Sequence, residues 1–361
     1  MIPPVPHIAA MAAYQLADLS APEGTRRVSL SQNESLRTPS PLVAEALRQA
    51  ADAPHLYPDP DWSDLRQAIG AMHRVDPAQI VCGNGSLDLI GALARAYLAP
   101  GRAALAPAHA YPFFRVATQM TGARFNTAEE EGLTANVDAL LAAITRETRI
   151  VFVANPGNPT GTRLPRSELI RLREGLPDDV LLVIDEAYGE FADHLSEPMF
   201  DQVARGDTVV LRTFSKAYGL AGMRVGWGLF PAEIAGETRK LLNPNNVALP
   251  GQMAALAALQ DPAYMRETCA LSAGIRNGFA TRMRALGLSV PESFTNFVLM
   301  RFPSVEMATA LDIHLRSEGV FLRAPGGAGL TDCLRATVCV AHDMDLVAGL
   351  IEDWVTRKGI S

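Results

Sequence analysis

Between residues 40 and 231, apolar residues fall into two alternating patterns. Short unbroken apolar runs stand at 80–82, 103–106, 150–154, 180–184 and 209–211. Continuous rather than alternating apolarity is the pattern of parallel strands buried on both faces. Between the runs lie stretches of helical period, such as 87–98 with Leu89, Ile90, Leu93 and Tyr97 on one side. Ser40-Pro41 predicts a helix start with cap and proline in their favoured places, and Ser63 predicts a second cap. Helices between parallel strands imply a doubly wound α/β domain. Each run ends in polar or Gly-rich residues, and open α/β sheets bind ligands at the carboxyl ends of their strands. After Asn243-Pro244 the pattern changes. A helical region at about 250–286 precedes a strand at 297–302, a helix near 305–317, strands near 320–322 and 334–339, and a last helix at about 343–357. These elements predict a smaller α+β domain.

The last apolar run leads into Thr213-Phe214-Ser215-Lys216-Ala217-Tyr218-Gly219-Leu220-Ala221-Gly222-Met223-Arg224. Partial desolvation at a strand end lowers the pKa of an amine and makes it a nucleophile for carbonyls. Ser215 and Arg224 add a hydroxyl and a fixed cation, which suit a phosphate ester. An aldehyde that carries a phosphate satisfies all three groups, and pyridoxal phosphate is such a molecule. The plainer reading of Ser-Lys alone is a strand-end lysine in a Gly-rich loop; the glycines and Arg224 tell against it.

This segment resembles the lysine motif of fold type I pyridoxal-phosphate enzymes of the class I and II aminotransferase group, with its nearest likeness among the histidinol-phosphate aminotransferases. The likeness runs in chain order from about Tyr14 to Arg335. It implies a mostly parallel sheet, and it implies that Lys216 attaches pyridoxal 5'-phosphate and later moves the substrate proton. Asp185, at the end of the run 180–184, pairs by this resemblance with the ring nitrogen, and a cationic ring is the better electron sink. Tyr188 in Asp185-Glu186-Ala187-Tyr188 and Asn158 in Asn155-Pro156-Gly157-Asn158-Pro159 are implied to bond the ring's phenolic oxygen. Gly85, Ser86 and Leu87 match a phosphate-binding helix start, where backbone N–H groups receive an anion. Ser215 and Arg224 complete the phosphate site. Tyr111 matches the aromatic that stacks on the ring, with His109 as the alternative. Tyr57 in His55-Leu56-Tyr57-Pro58 matches a tyrosine that reaches the phosphate of a neighbouring subunit, which implies a homodimer with shared sites. Arg335, Arg323, Asn296 and Tyr14 match substrate-binding positions. The family's N-terminal arm implies a division into 1–39, an arm joining the small domain; 40–249, the cofactor-binding domain; and 250–361, the small domain.

Some positions depart from the family's pattern. Asn33-Glu34-Ser35-Leu36-Arg37-Thr38 stands where Asn-Glu-Asn-Pro is usual, so the substrate entrance is altered and Arg37 adds a cation there. Leu87-Asp88 replaces the usual Asp-Glu, and Asn245 stands where an aromatic is usual. The 361 residues are 48% hydrophobic and 20% charged, enough for two sizeable cores. A net charge of -7 and the lack of any basic run give no sign of a nucleic-acid partner. The apolar start, residues 1–13, has three prolines and no basic flank, unlike a signal peptide. The four cysteines lack metal-ligand spacing and read as reduced thiols of a cytoplasmic protein. The expected function is transfer of an amino group from a small-molecule donor to 2-oxoglutarate by a ping-pong mechanism, in amino-acid biosynthesis and with no metal. An aromatic amino acid aminotransferase and a threonine-phosphate-type decarboxylase remain as alternatives on the same scaffold.

Overall fold

The computed structural model describes residues 2–12 and 24–358. Tyr14 therefore lies outside the described residues. Each predicted apolar run is a strand, and the strands join one sheet: Ile80–Gly83, Gly226–Leu229, Thr208–Thr213, Leu181–Asp185, Thr148–Ala154, Ala103–Pro107 and Arg124–Ala128, in spatial order. Gly226–Leu229 runs antiparallel to both neighbours, and the other pairs are parallel. The five predicted strands are buried almost throughout, which is why they lack alternation.

Two strands carried no such signal. Arg124–Ala128 is a polar edge strand with only Ala128 buried. Gly226–Leu229 is broken up by glycines, and Gly226 is required by packing: a Cβ there would lie 2.4 Å from the Ser86 nitrogen. The bare backbone lets the helix Ser86–Tyr97 start against the sheet.

Two boundaries differ from expectation. Ser40 caps the helix Pro41–Ala50, accepting from Leu42 N. Ser63, however, is the first residue of the helix Ser63–His73 and caps nothing. The carboxylate of Asp59 accepts from Ser63 N (2.7 Å) and Asp61 N (2.9 Å), so an acid four residues upstream serves the helix start. The helical region 250–286 is two helices, Leu249–Leu259 and Pro262–Ala285. Pro262 cannot continue the first, and Asp261 caps the second by accepting from Tyr264 N.

The main sheet and its helices enclose a first hydrophobic core. A second core gathers Phe279, Met283, Leu311, Leu315, Val347, Ile351 and Trp354 around Phe297–Arg301 paired antiparallel with Cys333–Thr337. The helix Pro262–Ala285 serves both, since Met265 and Cys269 pack on the first core and Phe279 and Met283 on the second. Val28–Ser29 pairs in parallel with Val320–Phe321, which ties the N-terminal segment to the second core and leads residues 31–34 across the ends of the main strands.

Candidate active site

A cavity of about 900 Å³ opens at the carboxyl ends of the parallel strands. Its walls bring together Ser86, Leu87, Tyr111, Asn158, Asp185, Tyr188, Ser215, Lys216, Arg224, Arg323 and Arg335. These residues are scattered along most of the chain, and the sheet order collects them.

At one end Gly85 precedes the helix Ser86–Tyr97 in a left-handed conformation (φ 78°), with no side chain capping the helix. A Cβ on Gly85 would lie 2.4 Å from Arg224 Nη2, and the positive φ strains any residue other than glycine there. Arg224 donates to Ser215 Oγ (3.2 Å) and to the carbonyls of Ala221 (3.0 Å) and Asn84 (3.3 Å). Among the described residues its charge meets neutral oxygens rather than a carboxylate. Uncapped N–H groups, a hydroxyl and an uncompensated guanidinium make an anion site.

Lys216 stands between this end and the rest of the cavity. Its Nζ donates to the carbonyls of Gln32 and Asn33, both at 3.1 Å, and lies 5.9 Å from the centre of the Tyr188 ring. Burial pushes its pKa down to about 7, helped by the cations Arg335 and Arg224 and opposed by Glu34 and Asp185. A lysine near neutrality is both a nucleophile and a usable base.

Asp185 ends its strand at 4% exposure. Burial pushes its carboxyl up to about 7, against a hydrogen bond from Ala187 N (3.1 Å) and the charge of Lys216. Next to it, Glu186 is held by the fully buried Arg212, whose Nη2 reaches Oε2 at 2.7 Å while Nη1 and Nη2 grip Asp193. Arg212 thus clamps the turn that carries Asp185 and Tyr188 to the strand that leads to Lys216. Its signal in the sequence is a charge inside an apolar run, which burial allows only with partners.

On the opposite wall Arg335 donates to Asn158 Oδ1 (2.6 Å) and to the Ser31 carbonyl (2.8 Å). Arg323 and Arg335 face each other across an antiparallel bridge. Asn296 lies behind the wall, and its Nδ2 holds the carbonyls of Asn33 (3.1 Å) and Glu34 (3.0 Å). Tyr111 lines the cavity, whereas His109 does not: its ring Nδ1 bonds the Ala328 carbonyl (2.8 Å) and its backbone N–H donates to Glu130 Oε1 (2.9 Å). Arg37 does not join the cations: it stacks 3.9 Å over Tyr264 and pairs with Glu267, so the added charge expected at the entrance is spent elsewhere. Tyr57 is 87% exposed and lines no part of this chain's cavity. Asn33 was legible only as part of an altered entrance; the fold makes it a wall of the site.

The donor set fits a phosphorylated aromatic aldehyde. An anion cradle, a near-neutral amine, a buried carboxyl and an aromatic wall face one space. Among the described residues no cluster of three or more metal-ligating side chains occurs.

The family described as aminotransferase class I and II matches residues 25–353. A histidinol-phosphate aminotransferase of Paramagnetospirillum magneticum is 46% identical over 93% of this chain and 94% of its own length. Another, of Rhodospirillum centenum, is 42% identical over 98% of both chains. The crystal structure of histidinol-phosphate aminotransferase from Sinorhizobium meliloti in complex with pyridoxal-5'-phosphate superposes with a TM-score of 0.90 at 32% identity, covering 98% of this chain and 97% of that one.

Proposed function

The chain belongs to the class I and II aminotransferases, pyridoxal-phosphate-dependent enzymes of fold type I, and on that premise we propose that it moves an amino group from a phosphorylated amino alcohol of the histidinol-phosphate type to 2-oxoglutarate. The observation that carries this reading is the pair Arg323 and Arg335, joined by an antiparallel bridge, which both line the cavity that holds Lys216. One carboxylate needs one bidentate guanidinium, whereas a phosphate dianion uses two.

Gly85, Ser86, Leu87, Ser215 and Arg224 would hold the cofactor's phosphate, Asp185 its ring nitrogen, Tyr188 and Asn158 its phenolic oxygen, and Tyr111 its ring face. Bound pyridoxal phosphate supplies an electron sink for the carbon next to the substrate nitrogen. Lys216 Nζ would attach the cofactor at rest and, when freed, would take the proton from that carbon as a neutral amine and pass it, as an ammonium, to the carbon that carried the cofactor's aldehyde. Asp185 keeps a proton on the ring nitrogen. Arg335 and Arg323 hold the substrate's anionic group, with Asn296 bracing the wall and Tyr14 in the N-terminal arm as a further substrate contact. The two half-reactions follow in ping-pong order, so one cavity receives first the donor and then the 2-oxo acid.

Arg323→Ala is expected to lower kcat/KM for histidinol phosphate about ten- to a hundredfold, the worth of one charge-assisted contact. Turnover of an aromatic amino acid should change far less. Equal losses on both substrates would favour the aromatic aminotransferase, and release of carbon dioxide would favour the decarboxylase.

The division into 1–39, 40–249 and 250–361 is part of the same proposal, with the helix Leu249–Leu259, packed on the first core, as the joint. So is a homodimer in which the exposed Tyr57, beside the 58% exposed Leu56, reaches the partner's phosphate site. Mixed Tyr57→Ala and Lys216→Ala protomers should regain activity as hybrids, because one of the two composite sites is whole. No recovery after demonstrated subunit exchange would remove Tyr57 from the shared site. A cytoplasmic setting agrees with four free cysteines, and no helix among the described residues is long and apolar enough to cross a membrane.

A further inference from the structure

Asn33 lies on the strap 31–34 with its backbone in the left-handed region (φ 55°) and its side chain 1% exposed. Its own N–H donates to the Thr337 hydroxyl at 2.9 Å. That hydroxyl has one proton, and it donates it to Asn33 Oδ1 at 3.1 Å. The carboxamide presents its oxygen to Thr337 and its NH2 end the other way. There Nδ2 donates to the Tyr188 oxygen at 2.7 Å. A phenol carries one proton to give, and Asn33 occupies an accepting position on it. The Tyr188 proton is left to be given to an acceptor other than Asn33, and Tyr188 lines the cavity. The Asn33 carbonyl meanwhile accepts from Lys216 Nζ, so one residue of the arm touches two groups of the site.

We propose that Asn33 is a positioning residue: the relay Thr337 to Asn33 to Tyr188 fixes the direction of the Tyr188 proton into the cavity. This rests on the reading of Tyr188 as the donor to the cofactor's phenolic oxygen. Donation to that oxygen favours its ionised form and holds its titration at lower pH. Asn33→Asp keeps the side chain's shape but replaces the donor by an acceptor, so Tyr188 must turn its proton onto the new carboxylate and away from the cavity. Asn33→Gly keeps the left-handed backbone and the carbonyl to Lys216, and leaves Tyr188 able to donate inward.

The test is steady-state kinetics and pH titration of the bound cofactor's visible absorbance in the holoenzyme, for both variants, each with Tyr188 and with Tyr188→Phe. Asn33→Asp should lower kcat about a hundredfold, as loss of one donor to an oxyanion does. Asn33→Gly should lower it no more than about tenfold, the worth of one ordinary hydrogen bond. A merely structural role gives the reverse order, since Asp is the closer mimic of Asn, and that order overturns the proposal. Asn33→Asp should also raise the spectral midpoint by about one unit more with Tyr188 present than with Phe, where only the new carboxylate's charge acts. Equal shifts in both backgrounds likewise overturn it. If Tyr188→Phe alone changes neither kcat nor the midpoint, the reading of Tyr188 fails first and takes the relay with it. Thr337→Val, which removes the hydroxyl that orients the carboxamide, should lower kcat while leaving KM for the amino donor unchanged; an unaltered kcat counts against the relay.

Discussion

Replacing Lys216 by alanine is expected to lower turnover by at least about ten-thousandfold, the upper range for a single acid–base group, because attachment and proton transfer are lost together. The fold should survive. The side chain's only hydrogen bonds among the described residues run to the Gln32 and Asn33 carbonyls, and the strap bearing them is also held by Asn296. The lost charge sits where Arg335 and Arg224 already disfavour it. Borohydride treatment of the wild-type enzyme should fix the cofactor on the peptide containing Lys216, and the variant should show no fixed cofactor. A label on any other lysine, or a loss of turnover below about a hundredfold, would contradict the assignment.

Asp185→Asn is expected to bind cofactor yet lose about a hundred- to a thousandfold in turnover, the scale of one preorganised electrostatic contact. The same change should alter stability in the cofactor-free protein, with a definite sign. Asp185 has a folded pKa of about 7 against an ordinary 3.8. Between about pH 4 and 7 the folded chain therefore holds more protons than the unfolded one, and this group's contribution to stability falls as pH rises. Lys216, lowered to about 7 from 10.5, acts in the next window: the unfolded chain holds more protons there, and stability rises with pH. The two groups together place a dip in stability near pH 7. The neutral carboxamide of the Asp185→Asn variant carries no such penalty, so the variant should melt above the wild type at pH 8 and together with it near pH 4. Thermal unfolding across that range measures the difference, and coincident curves at pH 8 would remove the buried-carboxylate account. The site lowers stability at the pH where its amine is half neutral, which is where a proton carrier is useful.

Much of this site was legible because its parts are local. A lysine after a buried strand, a Gly-rich turn before a helix and an acid closing an apolar run are all patterns of a few residues. The parallel-sheet rule then predicts that their strand ends converge. Gly85, Asp185, Ser215, Lys216 and Arg224 converge in that way. The failures were local too. Ser63 and Asp59 both stand near one helix start, and which of them caps depends on the backbone path through Trp62, in the left-handed region at φ 53°. Gly226–Leu229 gives no strand pattern because glycine weakens a strand signal, and the approach of the Ser86 helix explains why glycine is needed at 226.

The chain's own patterns therefore determined the layered fold, the strand-end location of the site and the chemistry of its anion cradle and amine, because hydrophobic period and turn chemistry act over short stretches. Tertiary structure alone decided that Arg335 meets Asn158 across 177 positions, that Arg37 turns to Tyr264, and that Asn33 joins Thr337 to Tyr188. The Asn33 contacts follow directly after the pairing of Val28–Ser29 with Val320–Phe321, a register between distant segments set by the burial of a shared core.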